Sequence, residues 1–350
     1  MNNNKIEKYS LIPPFVLEYI SGNCDECTNQ YVLKTLDHVN NLMNTSIEDD
    51  TSFREEESKS YDKLNRIIYD AQHKEIFPGK KLSRSEGMAE HSDVAVNEAY
   101  DHLGKTYEFY KKVFNRDSLD NKGMKLIATV HYGENYLNAF WSRRQIVFGD
   151  GDGKYFNRFS SSIDVIAHEL THGVIESEAN LFYAYQSGAL NESIADVFGI
   201  MVKQYANNQK ADESNWLLGQ GLLGYKFNPD NKSNIALRSF INPGEAFFAD
   251  KQIGHMDQSE YMPFSKDNGG VHILSGIPNR AFYLAAIALG GYAWEKAGKI
   301  WYETLLDERL YSDADFDDFA ELTIENAEKL FDKKIATIIK NSWKEVGVLV

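Results

Sequence analysis

The chain has 350 residues, enough for one large domain or two ordinary ones, and is 43% hydrophobic and 25% charged, as soluble globular proteins are. Its net charge of −15 argues against nucleic acid or an anionic membrane as a main partner, since both call for a basic surface. No window reaches the roughly 18–20 apolar residues of a membrane span.

The opening residues, MNNNKIEKYSLIPPFVLEYISG, lack a cationic start followed by an unbroken apolar run, because Pro13–Pro14 interrupts it. No classical signal peptide is expected. The expectation is a soluble chain, cytoplasmic as made, leaving the cell, if it does, by a non-classical route. Residues 1–45 read as a small unit with an amphipathic helix, since Val32, Leu33, Leu36, Val39 and Leu42 recur at helical spacing. Cys24 and Cys27 form a C-x-x-C without the second pair of a zinc ribbon, and two cysteines do not make a disulfide scaffold. They read as ordinary thiols, with a thiolate that blocks an active-site metal as the alternative. The acidic run NTSIEDDTSFREEESKS follows, with the composition of an exposed, nickable linker.

The character changes near Leu64. Asp93–Phe114 is predicted helical, and residues 124–132 and 144–149 are predicted strands, β-branched and punctuated by Gly. The Gly149–Lys154 run lacks the spacing and the Ser/Thr of a phosphate loop, so a tight turn between strands is expected. From Ile163 onward the chain is mainly helical, with helices expected over 163–178, 190–207 and 271–290. A β-containing lobe thus precedes a helical one, with the helix bearing His168 between them, where clefts form.

His168-Glu169-Leu170-Thr171-His172 is an H-E-x-x-H sequence in an apolar helical setting. Residues four apart share a helix face, so both imidazoles can reach one ion, while Glu169 can contact a metal-bound water without being a ligand. A core helix with two satisfied histidines is the bland alternative. A catalytic zinc takes three protein ligands and keeps one position open. Glu192, 20 residues after His172, would supply the carboxylate, and Asp196 lies one turn further along the same face, placed to take the free ring N–H of a ligating histidine. The apolar neighbours Ile194, Ala195, Val197 and Phe198 imply that both acids are buried and need a partner.

Four blocks in one order, VHYGENYLNAFW (130–141), HELTH (168–172), SGALNESIADVFG (187–199) and DNGGVHILSG (267–276), make the chain from about Ile67 resemble the thermolysin-like metalloproteases. The resemblance implies an α+β, two-lobed fold with a β-rich N-terminal lobe, a mainly helical C-terminal lobe and the zinc cleft between. It implies one zinc per chain held by His168, His172 and Glu192, with Glu169 as catalytic acid/base. His272 matches the histidine that stabilises the transition state, Asp267 the carboxylate that orients it, and Tyr183 the assisting tyrosine. Asn138 and Ala139 match the substrate clamp, and Arg238 the arginine that binds a substrate carbonyl. Phe156, Phe159, Val165, Leu218 and Leu237 match the apolar pocket beyond the cut bond, so cleavage before bulky apolar residues is expected.

Two departures from the family matter. Of the positions that hold a calcium pair in many relatives, only Asp164 keeps its acid; the others read Lys203, Asn215, Leu217 and Gln220. Calcium wants several carboxylates, so the pair is expected to be absent, with Lys203 as the counter-ion of Asp164. A separate calcium at Asp117, Asp120 or Asn121 has little support. The short N-terminal segment with Ile12-Pro13-Pro14-Phe15 resembles the protealysin-like branch, whose motif is Pro-Pro-Leu. That implies a zymogen: a short helical pro-segment at 1–50 that inhibits its own chain and is removed at the linker, where Phe53 suits the enzyme's taste, then lobes at 51–187 and 188–350.

The expected partners are protein or peptide substrates and the pro-segment, acting on a monomer; a dedicated protein inhibitor would be a further one. An aminopeptidase shares H-E-x-x-H but needs a group that captures the substrate amine, and none is evident. A binding protein with a decayed site would lack a ligand or the base, and none is missing.

Overall fold

The computed structural model describes residues 9–44 and 64–350. Most of the acidic linker, with Phe53, and the side chain of Leu42 lie outside the described residues. The chain divides into two compact units, up to Ser161 and from Ser162 to Val350. The boundary expected after residue 187 falls inside a helix, Tyr185–Ala206, which packs along the His168 helix within the second unit.

The first unit is a six-stranded sheet in the order β1-β5-β6-β4-β2-β3. Its strands are β1 (Tyr9–Ser10), β2 (Arg66–Asp70), β3 (Lys81–Ser85), β4 (Leu126–Val130), β5 (Ala139–Trp141) and β6 (Gln145–Phe148). β4 and β6 are the two predicted strands, trimmed. They run parallel to each other, as do β2 and β4. Helix α3 (Val94–Phe114) provides the crossover from β3 to β4. It starts where Asp93 accepts a hydrogen bond from Ala95 N at 2.9 Å, and ends where Asn115 turns left-handed.

The N-terminal segment belongs to this unit. Two helices, α1 (Pro14–Asn23) and α2 (Glu26–Asn44), stand where the sequence suggested one. Pro14 opens α1, where its missing N–H costs nothing. On α2, Val32, Thr35 and Val39 are buried, but Leu33 points outward, 48% exposed. Cys24 and Cys27 are free thiols at the α1–α2 junction. The segment is tied down by polar contacts: Leu137 N donates to Thr35, His38 Nδ1 lies 2.7 Å from the Tyr136 hydroxyl, and Lys154 donates to Thr28 and pairs with Asp25. The Gly149–Lys154 run follows β6 but no further sheet strand follows it before Ser161. It is a turn closed by Asp152 N and Gly153 N, which donate to the Phe156 carbonyl, and folded round Asp152, whose Oδ1 accepts from the backbone N–H groups of Lys154, Tyr155 and Phe156.

The second unit is built on α4 (Ile163–Ser177) and α5 (Tyr185–Ala206). From Asp164 to Ile175 every residue of α4 is buried. Gly199 lets the two helices close up: a Cβ there would sit 2.6 Å from the Asp164 carbonyl oxygen. A short ribbon, β7 (Leu217–Leu218) with β8 (Arg238–Ser239), follows. The stretch expected as one helix over 271–290 is broken at Ser275 into α6 (Asp267–Leu274) and α7 (Gly276–Leu289). Helices α8 (Ala297–Leu305), α9 (Phe316–Leu330) and α10 (Lys333–Glu345) complete the unit, where Trp301 and Trp343 stack at 5.9 Å beside Phe319. Among the described residues no helix is long and apolar enough to cross a membrane.

One ion cluster ties α3 to the sheet. His131 has Nδ1 2.8 Å from Asp150 and Nε2 2.9 Å from Asp93, with His73 Nδ1 3.6 Å from Asp150. The bond to Asp150 outweighs burial, and Asp93 adds to it, so the imidazole pKa is pushed up to about 9. A pKa raised on folding contributes stability that is fully present below the unfolded value near 6.5 and is lost as pH rises through the folded one. Thermal unfolding of a proteolytically silent Glu169→Gln chain should therefore show a midpoint that declines between about pH 6.5 and 9, most steeply midway between them, and levels off above. His131→Gln should flatten that part of the curve.

Candidate active site

His168 and His172 lie one turn apart on α4, and Glu192 faces them from α5; all three are at most 1% exposed. The two Nε2 atoms are 3.1 Å apart, and each lies 3.5 Å from a Glu192 carboxylate oxygen. The outer ring nitrogens decide what those inner atoms carry. His172 Nδ1 is 2.8 Å from Asn191 Oδ1. The Asn191 amide cannot be the other way round, because its Nδ2 donates to the Leu181 carbonyl. His172 therefore bears its proton on Nδ1 and turns a lone pair inward. Burial holds its pKa well below the ordinary value, helped by the neighbouring His168, so the ring stays neutral.

His168 Nδ1 lies 2.8 Å from Asp196 Oδ1, which sets the same tautomer. Burial alone would raise the Asp196 pKa, but Arg238 and His168 outweigh it and keep the carboxyl ionised far below its usual range. Arg238 Nε and Nη2 donate to Asp196 Oδ1 at 3.0 and 2.8 Å, and Asn279 Nδ2 donates to Oδ2 at 2.8 Å. Two imidazole lone pairs and a carboxylate thus converge in a dry interior, all ligand atoms within 4.8 Å of one another. Such a set repels itself unless a cation lies among it, and two nitrogens with one carboxylate oxygen is a donor set that suits zinc. His73, His131 and Asp150 also come close together, but both His131 nitrogens are already held by carboxylates.

Glu169, next to His168, is fully buried. On the far side of Glu192, the Tyr183 hydroxyl donates to Glu192 Oε1 at 2.5 Å and lies 3.4 Å from His272 Nε2. His272 is fixed by Asp267, whose Oδ1 is 2.6 Å from Nδ1 and whose Oδ2 accepts from the His272 backbone N–H. Burial works against a charged ring, but Asp267 and Glu192 outweigh it, and the His272 pKa is pushed up to about 9. The Tyr183 phenol is held well above 10 by burial, then by Glu192. Both groups therefore carry a proton to donate at neutral pH.

The remaining predicted positions divide between the two units. In the second unit, Leu237 N donates to the Leu218 carbonyl, Leu218 packs beside Gly199, and Val165 is buried on α4. Lys203 Nζ lies 3.2 Å from Asp164 Oδ2 and donates to the Leu217 carbonyl at 2.7 Å, while Asn215 Nδ2 bonds Gln220 Oε1. Asp117 and Asn121 are engaged by their own loop and Tyr107, and Asp120 accepts from Lys122 N and Met124 N. In the first unit, the Phe156 and Phe159 rings pair at 5.6 Å. There too the N-terminal segment is seated on the predicted clamp. β1 pairs antiparallel with β5, Leu11 N donates to the Ala139 carbonyl at 3.1 Å, and Asn138 accepts from Ile12 N and donates to Ser10 Oγ. Sequence reasoning gave Asn191 and Asn279 no role. Asn191 lies inside a block that carried the resemblance, so a question about what holds the outer nitrogen of His172 would have found it.

A buried two-histidine, one-carboxylate centre with an adjacent acid and two proton-bearing donors defines a metal-dependent hydrolase of peptide bonds. Comparison with known proteins agrees. The thermolysin metallopeptidase catalytic domain matches residues 30–176, its alpha-helical domain residues 179–348, and the protealysin propeptide residues 9–49. The chain is 52% identical to Protease PrtS of Photorhabdus sp. over 97% of its length and 92% of that protein's. It is 49% identical to an extracellular metalloprotease of Pectobacterium carotovorum, over 97% and 96%. The solved precursor of protealysin, a metalloproteinase from Serratia proteamaculans, aligns with a TM-score of 0.86 at 48% identity, covering 97% of this chain and 99% of that one. The chain belongs to the thermolysin family of zinc-using metalloendopeptidases and carries a protealysin propeptide, which acts as its intramolecular inhibitor. The expected cytoplasmic location does not stand: a relative this similar is named extracellular, and the lack of a recognisable leader does not report where a protease works.

Proposed function

We propose that the chain is a zymogen of a neutral endopeptidase that works outside the cell with one zinc per chain, held by His168, His172 and Glu192. The observation that carries this reading is the pair of inward Nε2 lone pairs, 3.1 Å apart, with their outer nitrogens spoken for by Asn191 and Asp196. Zinc, when bound, supplies Lewis acidity that makes water nucleophilic near neutral pH. Glu169 takes the proton of the attacking water on its carboxylate and returns it to the leaving amine. Tyr183 Oη and His272 Nε2 donate to the oxyanion that develops on the scissile carbonyl, with Asp267 keeping the imidazole charged and aimed. Arg238 reads as a group that fixes Asp196, and through it His168, as well as one that reaches a substrate carbonyl. Asn138 and Ala139 bind extended substrate backbone after the pro-segment is cut away at the linker.

Removing Glu169 as Glu169→Gln should leave about one zinc per chain by metal analysis while peptide cleavage falls by roughly 10³-fold, within the range for general-base loss. Full activity in that variant would overturn the assignment. The apolar positions Val165, Leu218, Leu237, Phe156 and Phe159 favour Leu, Phe or Ile after the cut bond. A peptide library read by mass spectrometry should show this, and a preference for Asp or Lys there would refute it.

Lys203 stands in for a calcium pair in this reading, satisfying Asp164 together with Gly219 N, which donates to Asp164 Oδ2 at 3.0 Å. Removing one partner of a buried pair strands the other charge. Lys203→Ala should cost about 3 kcal/mol in denaturant unfolding, whereas a calcium-selective chelator should leave the stability of the parent chain unchanged. A large loss on chelation would contradict the replacement.

A further inference from the structure

Two aromatic rings beside the catalytic donors lie open although aromatic side chains are costly to leave in water. Tyr185 is 44% and Phe264 43% exposed, and their ring centroids are 6.4 Å apart. Neither is a loose decoration. Tyr185 is the first residue of α5, two after Tyr183, and holds a left-handed backbone (φ 53) that a non-glycine residue adopts at some cost. Its ring lies on the bare backbone of Gly269, where a Cβ would stand only 2.3 Å from it. Gly269 sits in the left-handed turn Asp267–Gly270 (φ 50, 47, 83 and 86), the turn that delivers Asp267 to His272. Phe264 is on the short segment that enters that turn. The aromatic pair and the donor pair are therefore parts of one block.

Its position along α5 says which part of a substrate it would meet. Glu192 marks the centre of the site. Seven residues C-terminal of it, Gly199 carries the apolar wall: a Cβ there would contact both Leu218 at 3.4 Å and His168 Cβ at 3.5 Å. Seven residues N-terminal of it stands Tyr185. At about 1.5 Å per residue the two features lie roughly 10 Å to either side of Glu192. The wall marks the direction of the residues after the cut bond in the reading above, and distances are taken from Glu192. An extended peptide advances about 3.4 Å per residue, so roughly 10 Å the other way reaches the second or third residue before the cut. Continuity with the Tyr183–His272 donors supplies the backbone anchor.

We infer that Tyr185 and Phe264 form a second specificity subsite that takes an aromatic or large aliphatic side chain two or three residues before the scissile bond. This rests on the proposed endopeptidase reading and adds a preference to it. Filling such a subsite is expected to change kcat/KM by about 10-fold, the usual scale for one apolar group in a shallow hydrophobic site.

The test uses active enzyme from the full chain and quenched-fluorescence peptides with Leu fixed after the cut. The second and third positions before it carry Phe or Gly. The wild type should cleave the Phe peptides about 10-fold better in kcat/KM than the all-Gly peptide, and Phe264→Ala and Tyr185→Ala should each shrink that ratio toward one. Tyr185→Phe, which keeps the ring over Gly269, should preserve it. A wild type indifferent to Phe at both positions would overturn the subsite. So would variants that lose activity on the Phe and Gly peptides in parallel, since that marks a role in holding the Asp267 turn alone. Failure of the wild type to cut any peptide before Leu would instead sink the endopeptidase reading, and the two failures are told apart by the all-Gly peptide.

Discussion

Everything in the second unit serves one electrostatic demand: two lone pairs and a carboxylate must be held within hydrogen-bonding distance of each other in a place water does not reach. Left to themselves these atoms would turn away or take up protons. Asn191, oriented by the Leu181 carbonyl, and Asp196, neutralised by Arg238 and steadied by Asn279, stop the rings turning away, and burial keeps His172 from taking up a proton. The cost of burying Asp196 is offset by Arg238, itself buried. Close packing at Gly199 then fixes the spacing of α4 and α5 on which the three ligands depend.

The same logic separates three kinds of histidine. His168 and His172 are turned Nε2-inward by Asp196 and Asn191 at their outer nitrogens, and burial, helped by His168, keeps the His172 ring neutral. His272 is given Asp267 and remains a donor. His131, with a carboxylate at each nitrogen, becomes a structural cation. One residue type thus does three jobs, and its neighbours choose among them.

Much of this was legible in the sequence where chemistry is local. The i, i+4 spacing of His168 and His172, and of Glu192 and Asp196, is a direct consequence of helical period, and the predicted helices lie close to α3, α4 and α5. What resisted was non-local. The parallel pairing of β2 with β4 and β4 with β6 depends on partners far apart in the chain, and short strands such as β1 and β5 carry little periodic signal. The helix expected over 271–290 ran past Ser275 because apolar spacing continues through the break. Asn191 and Asn279 were passed over because an amide's role depends on what lies opposite it in space. The division between units was set too late because α5 looks like the start of a new lobe until its packing on α4 is seen.

The seating of β1 on β5 has a kinetic meaning. The Ala139 carbonyl and the Asn138 side-chain amide bind Ser10, Leu11 and Ile12 through ordinary hydrogen bonds, with no covalent bond. Such an occupant holds its place in the intact chain because it is tethered, at an effective concentration on the order of millimolar. Cutting the tether leaves every contact as it was yet converts a unimolecular equilibrium into a bimolecular one. Dilution then does what no rearrangement of the enzyme needs to do, and the latent and the working forms can share a single conformation of the sheet.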